Sequence, residues 1–264
     1  MSTIFGGTPV PNDLANALID LQWEALGVQN GISEANLIAT ALTRSVQPSF
    51  GAQASGNCLQ LLTGGAVTVV REATTGIRVI QVTSGAGTRT SRLFGTVYTI
   101  PSGAQFGGVV PSYRRMRRYR AGALVMYPVR GASVLETGLV FGNGYLTFLG
   151  TAPAFVLSSD PAVNAGRWTA RVRQVDAGAI TTLNDTGILP SATAFQYYEV
   201  QYTEGPVPLL ELLINGVTVA SISGLASVPA TTGVALAGAF GFGISIVAGT
   251  TMQYAALRYR VEEI

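Results

Sequence analysis

The sequence contains no histidine and only one cysteine, Cys58. Those two facts remove most of the usual catalytic constellations. Histidine is the commonest general base and metal ligand near neutral pH, and a cysteine nucleophile needs a partner base to form its thiolate. Cys58 therefore reads as a small buried apolar residue, and no intrachain disulfide can form. Carboxylates are what remain. Glu199 and Glu211 stand on segments that read as pairing strands and could face one groove. A glycosidase needs two carboxyl groups about 5–10 Å apart with one pKa raised; without a cleft, surface or salt-bridged roles are expected for both. Asp160, Asp176 and Asp185 fall in loops and could meet calcium. No D-x-D-x-D-G loop accompanies them, so turn-forming roles are expected. No metal site and no cofactor is expected.

The most unusual local feature is the run Tyr113–Arg120, YRRMRRYR. In an extended chain Arg114, Met116, Arg118 and Arg120 share one face, and Tyr113, Arg115, Arg117 and Tyr119 the other. Such dense like charge repels itself unless anions answer it. The run is either a solvated loop with internal salt bridges or a docking patch for an acidic protein surface, since arginine binds carboxylates bidentately. Nucleic acid, which interleaved aromatics would suit, is the disfavoured partner. Trp168, Tyr197 and Tyr198 could line a sugar-binding face, although aromatics are ordinary strand residues and packing is the preferred reading.

Composition bounds what positions these residues. The 264-residue chain is 48% hydrophobic and 11% charged, against about 25% charged in ordinary domains. All 16 basic residues are arginine, and the net charge of +2 implies nothing by itself about nucleic acid. So few charges suggest that much of the surface is covered by other subunits. No unbroken apolar stretch is long enough to cross a membrane; the nearest, Val234–Val247, is interrupted by glycines and reads as a buried strand. The opening MSTIFGGTPVPNDL lacks a basic segment followed by an apolar one, so no secretory signal is expected.

Along the chain, the spacing of Leu14, Leu18 and Leu21 predicts a helix over Asp13–Leu26, capped by Asn12 or Asp13 and ended by Gly27. A second helix is expected from Ser33 to Pro48. Together they suggest a docking arm over residues 1–50, with Leu14, Leu18 and Leu21 as partner-binding positions. From Leu59 the pattern turns to β. Ala66–Glu72 and Gly76–Val82 read as a hairpin, and further strands are expected at Leu93–Ile100, Tyr119–Tyr127, Ser133–Phe141, Tyr145–Leu149, Ala154–Leu157, Arg167–Val175, Phe195–Tyr202, Leu209–Ile214, Val217–Ile222, Val234–Val247 and Met252–Val261. Asn143-Gly144 and Asn215-Gly216 carry the turn chemistry of tight hairpins. Many short strands punctuated by glycine and proline predict a mainly β chain, an antiparallel β-sandwich or jelly roll with a short N-terminal helical arm. The expected division is residues 1–50, a hairpin region over 51–112, and the sandwich over 113–264.

The order YRAGALVMY (Tyr119–Tyr127), ETGLVFGNG (Glu136–Gly144), RWTARVRQV (Arg167–Val175), YYEVQYT (Tyr197–Thr203), LLELLINGVTVASI (Leu209–Ile222) and YAALRYRVE (Tyr254–Glu262) resembles a concanavalin-like, laminin-G-like jelly roll. The resemblance covers Tyr113 to Ile264. It implies a two-sheet sandwich, and it implies that a glycosidase of this kind would carry its carboxylates close together on one strand as an E-x-D-x-x-E run, which is absent here. The arm, the Gly- and Thr-rich body and the scarcity of charge also resemble tailed-phage virion proteins, of the head-decoration or tail-accessory type. That resemblance implies a non-enzymatic subunit made in the host cytoplasm and placed in the virion. It would bind viral capsid or tail proteins and form a homo-oligomer, a trimer for preference, with no membrane partner. The alternative is a carbohydrate-binding module for host attachment.

Overall fold

The computed structural model describes residues 17–24, 59–61, 66–74, 76, 78–85, 89–98, 116–132, 134–141, 153–175, 177–203, 205–224 and 239–263. Fifteen strands account for most of them: β1 Ala17–Glu24, β2 Leu59–Leu61, β3 Ala66–Arg71, β4 Arg78–Thr83, β5 Arg89–Tyr98, β6 Met116–Val129, β7 Leu135–Phe141, β8 Ala154–Ser159, β9 Trp168–Arg173, β10 Ile180–Asp185, β11 Gln196–Thr203, β12 Leu209–Ile214, β13 Val217–Ser223, β14 Ala239–Val247 and β15 Thr251–Glu263. They form two antiparallel sheets. The eight-stranded sheet runs β13-β12-β11-β6-β15-β4-β3, with β1 also on β15; the seven-stranded sheet runs β10-β9-β8-β7-β14-β5-β2. Strands from before residue 113 lie in both sheets.

Alternation dictates the core. On β6, Tyr119, Ala121, Ala123, Val125 and Tyr127 point inward, and on β11 Tyr198, Val200 and Tyr202 do the same. Leu135, Leu139, Phe155, Leu157, Trp168, Phe242 and Ile244 face them from the other sheet. Two polar contacts fix the sheets face to face. The Trp168 indole N–H donates to the Tyr198 hydroxyl at 3.1 Å, and the Phe242 amide donates to the Tyr119 hydroxyl at 3.0 Å. The Tyr198 hydroxyl also donates to Gln196 Oε1, so it is held from both sides; a buried polar group that loses a partner costs about 1–3 kcal/mol. Tyr127, Trp168 and Tyr198 pack edge to face, with Trp168 and Tyr198 centroids 5.3 Å apart. Burial pushes the Tyr127 and Tyr198 hydroxyl pKa values well above the usual phenol value.

The hairpins expected at β3–β4 and β12–β13 are present. At the second, Asn215 and Gly216 both take positive φ, 52° and 79°, the geometry of a two-residue turn that follows strand twist.

The N-terminal helix is a correction. Ala17–Glu24 is a strand, paired antiparallel with β15. The segment holds two periods at once: Leu14, Leu18 and Leu21 fit a helical face, but Ile19, Leu21 and Trp23 alternate with Asp20, Gln22 and Glu24. The register decides between them, setting Ile19 opposite Val261, Leu21 opposite Tyr259 and Trp23 opposite Leu257, with Asp20 opposite Arg260. Apolar positions thus meet apolar ones and an acid meets a base, which a lone short helix would forgo. Leu14, the helix expected from Ser33, the strand at Tyr145–Leu149 and Asn143-Gly144 lie outside the described residues.

Candidate functional site

The middle of the outer face of the seven-stranded sheet is covered, with Val140, Ala154, Val156 and Ser245 all buried. Both outer faces carry charge: Glu136, Arg171 and Arg173 lie on that of the seven-stranded sheet, with Glu136 and Arg173 buried, and a larger set lies on that of the eight-stranded sheet. Cross-strand register arranges it in rows. One row sets Asp20, Arg260, Arg120, Gln201 and Glu211 side by side; the next sets Gln22, Arg258, Gly122, Glu199, Leu213 and Thr218. Glu262, Arg118 and Thr203 form a third. These three rows bring the positions of four arginines and four carboxylates together.

Glu199 is the centre of this face. Its side chain is 0% exposed, although it points away from the core. Arg120 grips it with two donors, Nε to Oε1 and Nη2 to Oε2, the second at 3.0 Å. Gln201 Nε2 adds a bond to Oε1 at 3.1 Å. Bidentate arginine is the strongest common partner of a carboxylate, and a carboxylate sealed from water requires such a partner. Beside it, Tyr197 lies across Gly122: a Cβ at that glycine would fall 2.7 Å from the Tyr197 hydroxyl and 2.5 Å from the Tyr198 carbonyl. Gly122 is what lets the ring lie down on the sheet. Glu211, two strands out from Arg120, accepts from the Thr218 hydroxyl at 3.0 Å.

No family model and no curated protein sequence matches the chain. Solved structures do resemble it. A protein of unknown function from Shewanella oneidensis MR-1 superposes with a TM-score of 0.50 at 12% identity, covering 98% of this chain and 96% of its own. Peanut lectin gives 0.46 at 13% identity over 93% of this chain and 98% of that one. A carbohydrate esterase from the Shiga toxin-encoding bacteriophage phi24B gives 0.47 at 12% identity over 78% and 91%. At such identities the likeness is one of fold, a two-sheet antiparallel β-sandwich.

The predicted site residues scatter within this frame. Arg118 is exposed and Arg120 half-buried on the outer face, while Tyr119 between them is in the core. Arg117 is the extra residue of a bulge, since Glu262 pairs with Arg118 and Glu263 with Met116. Arg114 and Arg115 lie outside the described residues. Leu18 and Leu21 are in β1, inside the sheet rather than on a projecting arm. Trp168 and Tyr198 are fully buried between the sheets and present no ring to an external sugar; of the three proposed sugar contacts only Tyr197 is on the outside.

Of the aspartates expected in loops, Asp160 holds a turn and Asp185 is instead the last residue of β10. Asp160 Oδ1 accepts the Ala162 amide at 2.9 Å. Asp185 is paired with Arg167 at 2.6 Å and also accepts the Gly187 amide at 3.0 Å, and the arginine, ahead of the amide, holds its carboxyl below the usual value. Asp176 lies outside the described residues, among which no group of three or more acidic or cysteine side chains could hold a metal.

What the sequence reading missed is the bond between Arg120 and Glu199. Both were singled out, but only the pairing of β6 with β11 brings them together across 79 positions. No local signal carried it, because the pairing depends on the register of strands far apart in the chain.

Proposed function

We propose that the chain is a structural binding subunit, a virion protein of the decoration or tail-accessory type, that works by assembling with itself and with a capsid or tail lattice protein. The observation that carries the non-catalytic part is the state of Glu199. It is the sealed carboxylate at the middle of the charged face of the eight-stranded sheet: three donors hold it and its side chain is 0% exposed, so it is engaged by arginine and closed to solvent rather than poised to abstract a proton. Its role is cohesion of the face. The low charge content and the concanavalin-like order of strands support burial of surface as the source of function. Native mass spectrometry of the full chain, alone and mixed with capsid and tail fractions, tests this. Complexes of fixed stoichiometry are expected. A chain that binds no particle component and instead turns over a polysaccharide overturns the reading.

A second reading, carbohydrate binding for host attachment, is favoured by Tyr197: a ring laid on the sheet near an arginine, a carboxylate and an amide supplies the apolar surface and polar groups that a sugar platform uses. Titration calorimetry against a glycan panel tests it. Binding lost in Tyr197→Ala supports it, and binding unchanged by that substitution counts against it.

A further inference from the structure

Sheet edges are templates for pairing with another chain unless something blunts them. Four of the five outer strands here carry such a device. β2 is only three residues long. β1 carries Asp20 and Glu24 and shifts register between Ala17 and Ile19. β10 and β13 are each broken by an extra residue. In β10, Thr182 pairs with Arg171 and Asn184 with Ala170, which leaves Leu183 over. In β13, Ala220 pairs with Leu212 and Thr218 with Leu213, which leaves Val219 over. The two bulges meet: Asn184 Nδ2 donates to the Val219 carbonyl at 2.8 Å, tying one sheet's edge to the other's.

β3 has none of these. Its sequence AVTVVR contains no proline, and all six residues pair with β4 in unbroken register. Ala66 and Thr68 are exposed. Its one charge does not guard the edge, because Arg71 Nη1 bends back to the Gly76 carbonyl of its own hairpin at 3.0 Å. No described strand lies beyond it.

We infer that β3 is the self-association edge, pairing antiparallel with β3 of a second copy about a two-fold axis at Thr68. This rests on the assembly reading above and names its contact. The strand is self-complementary in that register. Ala66 faces Val70, Val67 faces Val69, and Thr68 faces its own copy, all β-formers or small residues. In that register the two copies of Arg71 lie beyond the paired residues and do not face each other. The contact joins two eight-stranded sheets into one continuous sheet, and it closes as a dimer, in place of the trimer that the resemblance to virion proteins implied. Because no charge takes part, salt leaves it intact.

The test is light scattering and sedimentation of the full chain over a concentration series, at low and high salt. A salt-insensitive dimer is expected. Thr68→Lys sets like charges against each other at the axis and weakens it by roughly five-fold or more. Ser221→Lys, equally exposed on the blunted β13 edge, leaves it unchanged, and near-UV circular dichroism confirms that both variants are folded. A wild-type chain that stays monomeric up to its solubility limit overturns the edge proposal while leaving binding to other virion proteins open to its own test. So does a dimer untouched by Thr68→Lys, or one that dissolves in salt and is lost on Arg118→Ala.

Discussion

Removing the guanidinium from Arg120 strands a carboxylate in a site that water does not reach. In Arg120→Met, the 0%-exposed Glu199 keeps only the Gln201 amide as a donor. Breaking a buried ion pair from one side costs about 3–5 kcal/mol. Arg120 is itself 38% exposed, so water can partly replace it, and the lower end, about 3 kcal/mol, is expected here. Glu199→Gln instead leaves a guanidinium that solvent can reach, at a cost of about 1 kcal/mol. The double substitution buries no charge and is expected to cost about 1–2 kcal/mol, less than Arg120→Met alone, which gives a coupling energy of roughly 2–3 kcal/mol. Urea unfolding followed through the fluorescence of the core residue Trp168 measures all three variants. At about 2–4 °C per kcal/mol for a chain of this size, Arg120→Met is expected to melt about 6–12 °C low. Additive effects, each under about 0.5 kcal/mol, would refute the sealed-carboxylate argument.

Gly122→Ala must displace the Tyr197 ring and crowd the Tyr198 carbonyl, so it is expected to destabilise by about 1–3 kcal/mol in thermal melts. Asn184→Ala removes the bond between the two bulged edges; it is expected to cost about 1 kcal/mol and to yield higher oligomers by light scattering. The Tyr127 and Tyr198 hydroxyls have folded pKa values above the ordinary 10.0, so the folded state favours their neutral form. Their contribution is complete below that value and is lost as pH rises past it. Tyr127→Phe should therefore lessen the alkaline loss of stability, read as the unfolding midpoint against pH. Trp168→Phe frees the Tyr198 hydroxyl of a donor and is expected to cost about 1–2 kcal/mol and flatten the near-ultraviolet circular dichroism.

The strands were legible where one face meets the core and the other meets polar surroundings. YRAGALVMY, YYEVQYT and LLELLINGVTVASI alternate in that way, and their strands run where the alternation put them. β10 was not foreseen, because ITTLND sits at an edge with five exposed residues and shows no alternation. β1 was misread because its leucines satisfy a helical spacing too, and only its partner, some 240 positions later in the chain, selects the strand. The same limit applied to the charged face. The arginine run was plain in the sequence, and so was Glu199, but local pattern cannot say which carboxylate answers which arginine when the answer depends on strand register. Trp168 and Tyr198 show the converse: alternation gave each a face, and only the stacking of the two sheets shows that both faces are internal.

β15 takes β6 along one side and both β4 and β1 along the other. All three partners are translated before it. During synthesis, β6 and β1 each have an open flank until this last strand leaves the ribosome, and the eight-stranded sheet cannot close in stages. A chain truncated before Thr251 should therefore be far more prone to aggregate, and to recruit chaperones, than the 264-residue chain that carries β15.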